Sequence, residues 1–111
     1  MPTGKTAFMA GVPELLLLKL LSGREMYGYE LAKAVQSTTG AALSLGEGVL
    51  YPALHALEVA GALRARTAFV DGRRRIYYTL TARGRRRLQE LSLRWQQVAG
   101  AVHAVLGTAY A

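Results

Sequence analysis

Three short helices, an alternating hairpin and one long final helix follow one another along these 111 residues. That order predicts a mainly α winged helix-turn-helix with a long C-terminal dimerisation helix. Two features sharpen the expectation. The hydrophobic period switches from about 3.6 to 2 around Leu63 and back after Thr81, and the strongest turn signal, Asp71-Gly72, sits midway through the alternating stretch. The expected division is a winged helix-turn-helix over 1–81, with an arm over 1–11 and the wing over 63–80, followed by the dimerisation helix over 82–111.

The first helix is predicted to open at Pro13, whose fixed φ suits a first turn, with Glu14 favouring the positive end of the dipole. Leu15 to Leu21 is heavily apolar, and Ser22-Gly23 stops it. A second helix runs from about Gly28 to Thr38. Leu31, Ala34 and Val35 recur at helical spacing, while Glu30, Lys33 and Gln36 face outward. The third covers about Glu47 to Ala60, with Leu50, Leu54 and Leu57 forming a core-facing stripe. Pro52 requires this helix to begin close before it or to bend.

Leu63 to Val70 and Arg75 to Leu80 then alternate as two strands. Ile76, Tyr78 and Leu80 share one face; Arg75, Tyr77 and Thr79 share the other. Thr81 caps the last helix. Along it Leu88, Leu91, Trp95, Val98, Val102 and Val105 step by three and four, a heptad seam over nearly three repeats. Helical over 82–107, it would span roughly 39 Å. Such a helix outruns a small domain's own core, so a second copy of the chain is the expected partner for its seam.

Composition narrows the function classes. The chain carries fourteen Lys and Arg against seven Asp and Glu, for a formal net charge of +7. Residues 1–63 hold four cations and five anions, whereas residues 64–111 hold ten arginines against Asp71 and Glu90. An all-arginine block suits bidentate contacts to phosphate or guanine edges, though a solvated face would look the same in isolation. Without cysteine, thiolate metal sites, disulfides and cysteine nucleophiles are excluded. The only histidines, His55 and His103, lie on different elements and could meet a metal only across a dimer. No glycine-rich phosphate loop follows a strand, and no serine has a base at recognisable spacing. Neither an enzyme, a cofactor nor a metal is expected. No apolar run reaches a membrane-spanning length, and the stretch before Pro13 is too short for a signal-peptide core, so a cytoplasmic protein is expected.

In the predicted fold the third helix enters the major groove and the hairpin lies beside it. The candidate DNA-reading face is therefore Glu47, Gly48, Tyr51 and His55. Tyr51 offers a hydroxyl and a flat ring, His55 a polar ring, and Gly48 close backbone approach; the plainer alternative has Tyr51 packing against the hairpin. Arg64, Arg66, Arg73, Arg74 and Arg75 are the candidate backbone contacts, the last three at the wing tip. Arg83, Arg85, Arg86 and Arg87 open the final helix against its dipole, which hints at a polyanion partner or at solvation alone.

Three stretches resemble a known family. Met26-Tyr27-Gly28-Tyr29-Glu30-Leu31 resembles the second-helix motif of PadR transcriptional regulators. Leu50-Tyr51-Pro52-Ala53-Leu54-His55, with Leu57-Glu58 and Gly61, resembles their recognition helix. Gly72-Arg73-Arg74-Arg75, then Tyr77-Tyr78, Leu80-Thr81 and Gly84, resembles their wing. The resemblance runs from about Gly11 to Leu106. It implies a homodimeric repressor of the short subfamily; the spacing itself predicts pairing through Leu88, Leu91, Trp95, Val98, Val102 and Val105, and two-fold pairing predicts an inverted-repeat operator on double-stranded DNA. Two positions depart from the pattern, Ala56 and Ile76, where the family commonly has basic residues.

Trp95 is the sole tryptophan and lies in mid-seam, so a two-fold axis near it would bring two indoles together. With Ser92 and Ala99 leaving room beside it, a planar aromatic effector could stack there. Some short members of the resembled family bind planar drugs between paired tryptophans of this helix. The plainer reading has Trp95 filling the dimer core against the first helix. The competing function is an architectural or assembly winged-helix protein that holds protein or RNA without operator specificity.

Overall fold

A computed structural model describes residues 11–108 of the chain. The elements are α1 (Val12–Leu21), β1 (Met26–Tyr27), α2 (Gly28–Thr38), α3 (Glu47–Val59), β2 (Leu63–Val70), β3 (Arg73–Leu80) and α4 (Ala82–Leu106). The expected arm falls almost entirely outside the described residues.

The core forms where the three short helices turn their leucines onto the sheet. Leu17, Leu18 and Leu21 of α1, Leu31 and Val35 of α2, and Leu50, Leu54 and Leu57 of α3 are buried together with Met26, Leu63, Tyr78 and Leu80. The expected stripe of α3 is thus its buried face. α3 begins five residues before Pro52, at Glu47. It ends with Gly61 at φ 79°, where the Ala62 amide donates to Leu57 O and the Gly61 amide to Glu58 O. That paired pattern turns the chain sharply into β2.

The sheet has three strands, in the order β1-β3-β2, all antiparallel. The hairpin was expected; β1, only two residues long, was not. Asp71 and Gly72 both have positive φ, as the tight turn demands, and the second strand starts at Arg73, two residues earlier than the alternation suggested. Register puts Arg64, Arg66 and Ala68 opposite Thr79, Tyr77 and Arg75 on one face, and Leu63, Ala65 and Thr67 opposite Leu80, Tyr78 and Ile76 on the other.

The junction into α4 is tightly packed. The Thr81 hydroxyl donates to Gly61 O (2.6 Å) and accepts from the Gly84 amide (3.0 Å), while the Thr81 amide donates to Ala62 O (3.1 Å). Gly84 is buried here, and a Cβ on it would collide with the Ala62 carbonyl oxygen and approach Leu80 Cδ1 to 2.6 Å. Beyond it Leu88 and Leu91 pack on the core, and Arg87 Nε donates to Glu14 Oε1 (2.7 Å), tying α4 to α1. Trp95 and Val98 still border a groove with the start of α1, the helix is exposed from Gly100 onward, and the molecule measures 62 × 29 × 28 Å. No helix among the described residues is long and apolar enough to cross a membrane.

Candidate nucleic-acid interface

The exposed face of α3 and the wing stand on either side of a cleft of about 530 Å³. Tyr51 supplies the helix side, Arg73, Arg74, Arg75, Ile76 and Tyr78 the wing side, and Tyr27, Gly28 and Tyr29 the floor at the start of α2. Gly28 has no room for a side chain. A Cβ would sit 2.8 Å from Tyr51 Cε1 and 2.9 Å from its hydroxyl, so the ring lies directly over the α2 N-terminus. Tyr51 is therefore half-exposed and half-packed, against α2 rather than against the hairpin alone. Burial pushes the phenol of its neighbour Tyr78 up, with Glu58 and Tyr51 adding to the shift.

The candidate residues divide. Tyr51, Arg73, Arg74 and Arg75 meet at the cleft. Glu47, Gly48 and His55 lie exposed on α3 outside its lining. Arg64 is exposed on the outer face of the sheet near the hairpin base, about 20 Å of strand from the tip. Arg66 shares that outer face and is already engaged. Its Nε and Nη2 donate to Glu25 Oε2 and Oε1 at 2.8 and 2.6 Å, and the guanidinium holds the Glu25 carboxyl below the usual carboxylate range. Arg75 stacks 4.4 Å over the Tyr27 ring. For Arg73 and Arg74, by contrast, there is no side-chain hydrogen bond or ion pair among the described residues.

Tyr27 and Tyr29 escaped the sequence reading as interface residues. The signal was present, since both belong to the Met26-Tyr27-Gly28-Tyr29 motif, but the pairing of β1 with β3 is what brings them beneath the wing. Of the arginines opening α4, Arg83 donates to Ala60 O (3.2 Å) and Arg87 binds Glu14, so two of the four serve internal contacts.

The α4 seam also divides. Leu88 and Leu91 are partly buried against the chain's own core, whereas Trp95, Val98, Val102 and Val105 are 49%, 53%, 50% and 68% exposed. Trp95 borders a groove of about 290 Å³ with Gly11, Val12, Leu15, Leu91, Arg94 and Val98. Ser92, expected in the same pocket, lies in a different groove with Lys19, Leu88 and Leu93, and Ala99 borders neither. Ser92 and Trp95, a helical step of three apart, thus border separate grooves.

A three-stranded sheet whose wing stands across a cleft from an exposed third helix is a nucleic-acid-binding arrangement, and the comparisons decide the family. The profile of the "Transcriptional regulator PadR-like family" matches residues 17–90. The chain belongs to the PadR-like family. It is similar to a PadR family transcription regulator from hypervirulent Clostridium difficile, 29% identical with a TM-score of 0.75 over 87% of this chain and 100% of that one. It is similar also to a PadR-like transcriptional regulator from Bacillus cereus, 27% identical with a TM-score of 0.78 over 93% and 99% of the two chains. A transcriptional regulator from Clostridium thermocellum shares the fold, with a TM-score of 0.83 at 24% identity over 88% and 96%. The PadR-like chain described here is accordingly a DNA-binding transcription regulator and not an enzyme.

Proposed function

We propose that the chain acts as a homodimeric repressor of an inverted-repeat operator, with each α3 in a major groove and each wing on the adjoining backbone. The observation that carries this reading is the cleft itself, where the outward face of α3 meets three consecutive arginines. Tyr51 and His55 supply base contacts, Gly48 and Glu47 set the helix start against the backbone, and Arg73 and Arg74 neutralise phosphates. The exposed run Trp95, Val98, Val102 and Val105 supports pairing with a second copy, and two-fold pairing would set half-sites one helical turn or a multiple apart.

A planar aromatic compound beside Trp95 is the proposed effector. Arg94 at the rim of that groove favours a neutral or anionic ring over a cationic one. Bound there, it would change operator affinity only by preferring one of two dimer arrangements.

The test is a fluorescence anisotropy titration with the chain's own upstream DNA. At ~0.15 M salt a true operator should bind at least about 10³-fold tighter than random duplex. Equal affinity for both would favour an architectural role. Saturable quenching of Trp95 by a planar aromatic, accompanied by weaker operator binding, would support the effector; quenching alone would leave a pocket without a switch.

A further inference from the structure

We propose that Arg66, Arg75 and Glu25 form a clasp that sets the wing against the reading helix, and that Arg66 and Arg75 are positioning residues rather than phosphate contacts. This rests on the DNA-binding reading of the cleft.

The clasp crosses the whole sheet. Glu25 precedes β1 at one edge and Arg66 lies on β2 at the other, yet their side chains meet in a two-pronged ion pair. The strand between them is spanned by the Arg66 guanidinium, which sits 4.8 Å over the ring of Tyr77 on β3. Tyr77 in turn meets its β1 partner Tyr27 edge-on, with ring centroids 5.4 Å apart, and Arg75 covers the Tyr27 ring. Tyr27 stacks on Tyr29 at 6.3 Å, and its amide donates to Glu30 Oε1 (3.2 Å). One continuous chain of side chains thus runs from the wing to the first turn of α2, where Gly28 carries the ring of Tyr51.

The reason for such a chain lies in the brevity of β1. Two residue pairs hold it to β3, too short a ladder to fix the direction of a hairpin of two eight-residue strands. Side chains must supply the rest. A guanidinium is suited to it, since its planar fork binds a carboxylate with one edge while its face stacks on a ring. The Nε–Nη2 edge of Arg66 is taken by Glu25 and its face by Tyr77, so a phosphate could be met only by the remaining N–H groups on Nη1 and Nη2.

Glu25→Gln separates the alternatives by sign. If Glu25 merely competes with DNA for Arg66, removing its charge releases a cation and tightens binding. If the pair is a clasp, the same change loosens the wing and weakens binding. Exposed pairs are individually modest, so the expected loss is about 3- to 5-fold for Glu25→Gln and for Arg66→Ala alike, with the double variant no weaker than either single one. The dependence of log K on log salt should stay at the wild-type slope for all three, whereas Arg74→Ala should shallow it by about 0.9. Arg66→Lys keeps the charge and loses the fork, so it should remain weakened. Tighter binding by Glu25→Gln, or a shallower slope with Arg66→Ala, overturns the proposal. Without DNA, hydrogen exchange at the Met26 and Tyr27 amides should quicken in Arg66→Ala. Unchanged exchange defeats the clasp even if operator binding proves real, and wild-type protein without operator preference defeats the DNA reading even if the clasp proves real.

Discussion

The two halves of α4 carry one apolar repeat and meet two environments. From Gly84 to Leu91 the helix is part of the domain: Gly84 presses on the Ala62 carbonyl, Leu88 and Leu91 lie on the core, and Arg87 is bound by Glu14. From Trp95 to Val105 the same three-four spacing continues on side chains about half or more exposed, the first two beside the start of α1. Periodicity therefore specifies that a face is covered, and says nothing of what covers it. Of the six residues in the expected seam, Leu88 and Leu91 are partly buried against the chain's own core and the other four are exposed.

The largest effect expected from breaking this contrast is at Gly84. Gly84→Ala forces a methyl group into the Ala62 carbonyl and Leu80, where the backbone on both sides is held by Thr81. Overpacking of this kind costs about 3 kcal/mol, and the thermal midpoint should fall by roughly 12 °C or more for a domain of this size. An unchanged midpoint would mean that the junction yields easily. Next, Leu91→Ala should cost about 2 kcal/mol of domain stability, less than a fully buried leucine because Leu91 is only partly covered.

Val98→Asp with Val102→Asp should do the reverse. The domain should melt close to wild type, since neither side chain touches its core, while sedimentation should report monomers and operator affinity should drop by 10²-fold or more as half-site pairing is lost. A double variant that stays dimeric would place the partner surface elsewhere.

The same distinction explains what was legible in the sequence. Helix spans, the Asp71-Gly72 turn and the Thr81 cap rest on local chemistry, and each stands where its residues require. β1 was not legible, because Met26-Tyr27 is extended only by virtue of pairing with Tyr77 and Tyr78, fifty residues away. Of the candidate DNA-contacting residues, Tyr51 and the wing-tip arginines meet at one cleft, whereas Arg66 is paired with Glu25. Charge type identified Arg66 and Arg75 as candidates, but Glu25 lies 41 residues from Arg66 and no spacing rule links them. Ser92 and Trp95 show the same limit on a helix: neighbours by spacing, they border different grooves.

The smallest effect distinguishes the buried junction from the exposed clasp by pH. No titratable group takes part in the Thr81–Gly84 junction, so the deficit of Gly84→Ala should be the same at pH 3.5 and pH 6. Glu25 behaves otherwise. Its carboxyl is held below the ordinary value of 4.5 by the hydrogen-bonded Arg66 guanidinium, partly offset by desolvation. The folded state therefore prefers the ionised form, and the stabilisation is present above about pH 4.5 and fades as pH falls through the lowered folded value. Thermal midpoints of wild type and Glu25→Gln should differ slightly at pH 6 and converge toward pH 3. Because both partners face solvent, the separation should also shrink in 1 M salt, where charges are screened beyond about 3 Å. A gap that persists at pH 3 would assign the contribution of Glu25 to packing instead of charge.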